Sequence, residues 1–240
     1  MVLLYSLNSD QLMSHHSLKI RFQATLTGAI LGMSFQEIEI LPIAITALID
    51  RNTKEQDGFA YSIAIGLYHH QHPDRLNNYL SDLESLILAL VIAYACRDAL
   101  NPKNLISQIC AYLEQLDTET KPTIKQLRLA QTLVEQGQSL AIARSRLDGE
   151  NIAFGLYCFL STPDQWELAT LRSGKMRVAV GSIAAAYQGQ IPLGNRQSID
   201  IGMKIADRLL AAWSGAYDLD RIESDFYPAI TAPDLLKRRL

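Results

Sequence analysis

Apolar residues recur at three- and four-residue steps along nearly the whole chain, while strand-like alternation is scarce. That period places apolar side chains on one face of successive helices. From Ser17 onward, Leu18, Phe22, Leu26, Ile30 and Met33 form the first such stripe, with Gly28 and Gly32 beside it. Two glycines four apart weaken a helix by about 1 kcal/mol each relative to alanine, so a neighbouring helix or a ligand is expected to approach closely there. Pro42 is expected to start a second short helix running through Asp50, and the polar run Arg51–Gly58 to form a loop. Phe59 to His70 resumes the helical pattern until His72-Pro73-Asp74 interrupts it. A long helix is predicted from Leu76 to Ala99, stopped by Asn101-Pro102.

Leu105, Ile109, Tyr112, Leu113 and Leu116 form the next stripe, and Ile124 to Gln136 a further helix with Gly137 as its carboxy-terminal cap. Ser139–Arg146, Ile152–Leu160, Pro163–Leu171 and Met176–Gln188 read as four more helices, joined by turns too short to be linkers. Gly189 to Gly194 reads as a turn, and Ile199 to Trp213 closes the series. The expected architecture is one compact all-α domain over 17–216, with an extension at 1–16 and an irregular tail at 217–240.

Composition narrows the function classes. With 48% hydrophobic and 20% charged residues in 240, the chain has ample material for a buried core. A net charge of −3 provides no global footprint for nucleic acid, so any anion contact must be local. The most apolar run, Leu86 to Cys96, falls well short of the roughly 20 residues of a bilayer span and reads as a core helix. The opening Met-Val-Leu-Leu-Tyr-Ser lacks a basic region, so it is expected to pack on the domain rather than to act as a signal peptide. Cys96, Cys110 and Cys158 are odd in number and widely spaced, which argues against a disulfide framework or a thiolate zinc site and for a cytoplasmic location.

Two stretches carry a family signal. The first is Gly28-Ala29-Ile30-Leu31-Gly32-Met33; the second is Gly181-Ser182-Ile183-Ala184-Ala185-Ala186-Tyr187-Gln188-Gly189-Gln190-Ile191-Pro192. Together they resemble the glycine-spaced opening helix and the late small-residue helix of the ADP-ribosylglycohydrolases, the all-α family of dinitrogenase-reductase-activating glycohydrolases. His69 to Asp74 is similar to the family's histidine-containing turn. The resemblance implies the same fold, and it implies a pair of divalent cations, magnesium in type, held by clustered aspartates.

Those aspartates are missing here. The second aspartate stretch falls on Arg172-Ser173-Gly174-Lys175, and the glycine and acid after the opening helix fall on Gln36 and Glu37. Ile49-Asp50-Arg51-Asn52-Thr53 is the nearest approach to the family's Thr-Asp-Asp-Thr. The metal pair, and with it the family's activity, is therefore expected to be lost, leaving no cofactor and no catalytic residue. Arg172, Lys175 and Arg177 instead surround a helix start, where free N–H groups favour anions. Either a phosphate, nucleotide or acidic partner binds at this cluster, which includes Ser173 and Gly174 with Glu37 nearby, or the turn is simply solvated. The leading expectation is a non-catalytic scaffold that binds a protein partner or an anionic ligand; the alternative is a residual hydrolase using Glu37 and relocated ligands.

Other features point to structure more than to chemistry. His69, His70 and His72 are expected to form a helix-end group rather than a metal site, lacking an acidic cluster at ligand spacing. Ser14-His15-His16-Ser17 reads as a cap for the Leu18 helix rather than a nucleophile and base. Phe226 and Tyr227 are candidate partner contacts among the aromatics of the last third.

Overall fold

A computed structural model describes residues 17–49, 58–116 and 119–215, and the regular elements among these described residues are all helical. The first, α1 (Leu18–Gly32), starts where Ser17 accepts the Ile20 N–H at 3.3 Å, the capping role expected of that serine. Phe22, Leu26 and Ile30 of its apolar stripe are buried, with Leu18 and Met33 half-buried at the ends, but so is every other residue from Arg21 to Ile30. A helix covered on all sides sits at the centre of a fold, not on its surface. Its buried Thr25 returns its hydroxyl to the Arg21 carbonyl at 2.6 Å, which satisfies one polar group without a neighbour.

Pro42 does not start a helix. It lies inside α2 (Phe35–Ile49), where its missing N–H and ring would ordinarily cost about 3 kcal/mol. Leu41, Ala44, Ile45 and Leu48 are all buried at helical spacing on either side of it, and their burial outweighs that cost. Of the expected loop 51–58 only Gly58 falls within the described residues; α3 (Phe59–Tyr68) follows it.

The long helix predicted from Leu76 is divided. A 3-10 turn occupies Pro73–Asn78, and α4 (Leu83–Cys96) begins afresh because the Asp82 carboxylate accepts the Ser85 N–H at 2.9 Å. The end of α4 comes before Ala99, with Asp98 in the left-handed region at φ 60°. Between Leu86 and Ala93 α4 is buried on every side, as a core helix. No helix among the described residues is long and apolar enough to cross a membrane.

The remaining helices are α5 (Leu105–Leu113), α6 (Lys121–Glu135), α7 (Leu140–Arg146), α8 (Ile152–Ser161), α9 (Trp166–Arg172), α10 (Arg177–Gln188) and α11 (Arg196–Ser214). Gly137 follows α6 at φ 60°, the left-handed cap its position predicted. Both α9 and α10 start later than the pattern suggested, α9 after Pro163 has been passed in the turn and α10 after a 3-10 turn over Gly174–Met176.

Helices α10 and α11 both run antiparallel to α1 and pack closely on it. A Cβ added to Gly32 would come within 2.7 Å of the Arg177 carbonyl oxygen, and one added to Gly202 within 2.6 Å of the Thr27 hydroxyl. Further along, the Gln23 amide donates to Asp207 of α11 at 2.9 Å. Arg21 closes the far end: its buried guanidinium donates to Ala95 O of α4 at 2.7 Å, to Ala186 O of α10 at 3.2 Å and to the Asp98 carboxylate. One cation thus serves the electronegative ends of two helices, where backbone carbonyls have no partner within the helix.

Candidate functional site

The basic turn expected to face a ligand is held mostly by its own neighbours. Ser173 is fully buried, and its hydroxyl donates to Thr170 O at 2.7 Å. Gly174 takes φ +59°, the geometry that lets the 3-10 turn form. Within that turn the Met176 N–H donates to Ser173 O at 3.1 Å and the Arg177 N–H to Gly174 O, so two donors at the start of α10 are already used. The Arg172 guanidinium lies over the Tyr157 ring at 5.9 Å, and Lys175 pairs with Glu150 at 2.6 Å in solvent. Arg177 is exposed, with Gly32 of α1 pressed on its backbone. Arg172 and Lys175 thus each have a contact within the chain, and Arg144 joins the turn by donating to Arg172 O at 3.2 Å.

Glu37 falls in the first turn of α2, and its side chain lies outside the described residues, as do Phe226 and Tyr227. Among the described residues no group of three or more His, Cys, Asp or Glu side chains converges in a way that could hold a metal ion. The three cysteine thiols are free and buried; burial pushes the pKa of Cys96 up to about 12 and that of Cys158 to about 11. Neither presents a thiolate near neutral pH.

The histidine group is a helix end, as expected, and part of it is core. His69 follows α3 and stacks on Tyr79 with ring centroids 4.2 Å apart. His70 is 3% exposed, its Nδ1 lies 2.7 Å from Leu67 O, and its ring meets Phe22 edge-on at 5.7 Å and Trp213 at 4.9 Å. Burial lowers its pKa to about 4, and Arg97 and His72 push the same way against the Leu67 bond. The Nδ1 contact is then a donated N–H from a neutral ring.

The surface feature with the most distinct chemistry was not anticipated. Helix α9 buries Ala169 and Thr170 against the core and turns Leu168 and Leu171 outward. It is pinned by the Trp166 indole N–H, which donates to Gly181 O of α10 at 2.9 Å. On the other side α10 ends at Gly189, with φ 60°, and the chain continues through Ile191, Pro192 and Leu193. Gln188, the last residue of α10, donates to Pro163 O at 3.0 Å, and beyond the strip Gly194 packs on Leu31 of α1.

Between α9 and the strip lies a groove of about 520 Å³ lined by Trp166, Leu168, Leu171, Ile191, Pro192 and Leu193. Leu171 is 72% and Leu193 83% exposed, and both line this one groove. Glu167 is the charged residue of the lining, and Asp164 stands exposed where the chain enters α9. The sequence did carry a signal: the Gly189–Gly194 turn holds three consecutive apolar residues, Ile191, Pro192 and Leu193, and the last of them is exposed.

Compared with protein-family models, curated proteins and solved structures, the chain matches none of them.

Proposed function

We propose that the chain is a non-catalytic helical scaffold, built on an ADP-ribosylglycohydrolase-like plan, that binds a protein partner through the groove between α9 and 190–193. The carrying observation is the pair of exposed leucines, Leu171 on α9, which the Trp166 indole ties to α10, and Leu193 next to Gly194, which packs on Leu31. Fixed apolar surface of this kind loses little ordering entropy on binding, so its burial translates efficiently into affinity. The acidic character of Glu167 and Asp164 selects a segment that is apolar on one side and basic at its margin.

Support for the family plan is that its two signature stretches lie against each other, Gly28 of α1 on Gly181 of α10. Support for loss of catalysis is the basic replacement at 172–177, where Arg172 and Lys175 are engaged within the chain. Those engagements also favour a protein partner over a nucleotide or phosphate. The reading places the protein in the cytoplasm.

A labelled amphipathic leucine–lysine peptide tests the groove. Fluorescence anisotropy should show saturable binding that is lost in Leu171→Glu/Leu193→Glu, with circular dichroism unchanged. Binding that survives both substitutions would sink the groove as the partner surface.

A further inference from the structure

The strip beyond α10 holds main-chain groups that the fold leaves unused. Residues 191–195 form no helix or turn; Pro192 fixes its own φ at about −65° and keeps Ile191 out of helical geometry. Burial alternates along the strip. Ile191 is half-buried, Pro192 buried and Leu193 exposed, the pattern of an extended segment. Among the described residues no backbone hydrogen bond involves the N–H or the carbonyl of Ile191 or of Leu193. In extended backbone the N–H and C=O of one residue point to the same edge, and residues two apart share that edge. Ile191 and Leu193 therefore offer donors and acceptors in one row, while the N–H that Pro192 lacks falls on the opposite edge.

We propose that the partner of the groove binds as an extended segment that pairs its main chain with Ile191 and Leu193, adding itself to the strip as a strand adds to a sheet edge. The inference rests on the groove being a binding surface and names the form of its ligand. A helix spends its main-chain groups on itself and could offer the strip only side chains. An extended ligand has its groups to give, and its side chains alternate between two faces. Apolar residues at every second position then lie toward Leu171 and Leu193, and the basic residues between them match Glu167 and Asp164 at the margin. The recognised sequence is thus apolar and basic in alternation, carried on a loop or a linear segment of the partner.

Two labelled peptides of one composition separate the modes on the full chain. One alternates, Leu-Lys-Leu-Lys-Leu-Lys-Leu-Lys; the other has helical spacing, Leu-Lys-Lys-Leu-Leu-Lys-Lys-Leu. Two main-chain bonds of ordinary strength should make the alternating peptide bind about tenfold more tightly in fluorescence anisotropy. At saturation it should also slow amide hydrogen exchange at Ile191 and Leu193, followed by NMR, at least about tenfold. Leu193→Pro, which removes the strip's N–H, should weaken the alternating peptide more than Leu193→Ala, which keeps it.

Equal or tighter binding of the helical-spacing peptide, or unchanged exchange at Ile191 and Leu193 on saturation, overturns the extended mode and leaves the groove standing. Binding of neither peptide, or binding that survives Leu171→Glu/Leu193→Glu, removes the groove itself and this inference with it.

Discussion

Gly28 of α1 and Gly181 of α10 exclude a side chain at each other's position: a Cβ on Gly181 would stand 2.5 Å from the Gly28 carbonyl oxygen, and one on Gly28 would meet both the Gly181 carbonyl and, at 2.7 Å, the Ala185 methyl. The obstacle on both sides is backbone, which cannot rotate away. Alanine in a helix ordinarily stabilises by about 1 kcal/mol relative to glycine. Here the sign reverses. Gly28→Ala and Gly181→Ala should each lower unfolding stability by about 1–3 kcal/mol in urea titration. Gly181→Ala should also weaken the Trp166 contact, read as a shift in tryptophan fluorescence.

How much of this was legible depends on what each residue's role requires. Ser17 and Gly137 were readable because a cap is a local device, set by the residues on either side. The closeness of helices at Gly28 was readable as a need, but its partner was not, since nothing local names Gly181. Pro42 was misread because local cost was weighed without the burial of Leu41 and Ile45 that offsets it. Arg21 was missed for a similar reason. A lone arginine beside an apolar stripe looks solvated until the ends of α4 and α10 arrive around it. The candidate basic site grouped Arg172, Lys175 and Arg177 by sequence, but the Tyr157 ring under Arg172 and the Glu150 carboxylate on Lys175 come from distant segments that nothing local names.

Arg21→Met keeps much of the side-chain volume and removes every donor. The carbonyls of Ala95 and Ala186 would then be buried without their cation, and about 3–5 kcal/mol should be lost by equilibrium denaturation. Arg21→Lys should recover only part, because one ammonium cannot match the planar fork that reaches two helix ends and Asp98. Full stability in Arg21→Met would contradict this role.

His70 makes stability depend on pH in a defined window. Its pKa is about 4 in the fold against 6.5 for an ordinary histidine. Between those values the unfolded chain binds the extra proton, so stability rises with pH. Its contribution should be full above pH 6.5, fall progressively as pH drops to about 4, and total about 3 kcal/mol. His70→Asn, which retains a donor for Leu67 O, should flatten the profile in that interval when thermal unfolding is followed by circular dichroism.

Isothermal titration of ADP-ribose and of ADP should give no saturable heat, and Arg172→Ala should leave the trace unchanged. The basis is that Arg172 is occupied by Tyr157 and the Arg177 N–H by Gly174 O. A binding isotherm abolished by Arg172→Ala would instead establish the basic turn as an anion site.

Release of ADP-ribose tests the proposed non-catalytic reading most directly. Purified protein incubated with magnesium and an ADP-ribosylated peptide should release no ADP-ribose above the protein-free blank. Release that stops on chelation and in Glu37→Gln would contradict the account and show that a metal centre has been rebuilt around Glu37.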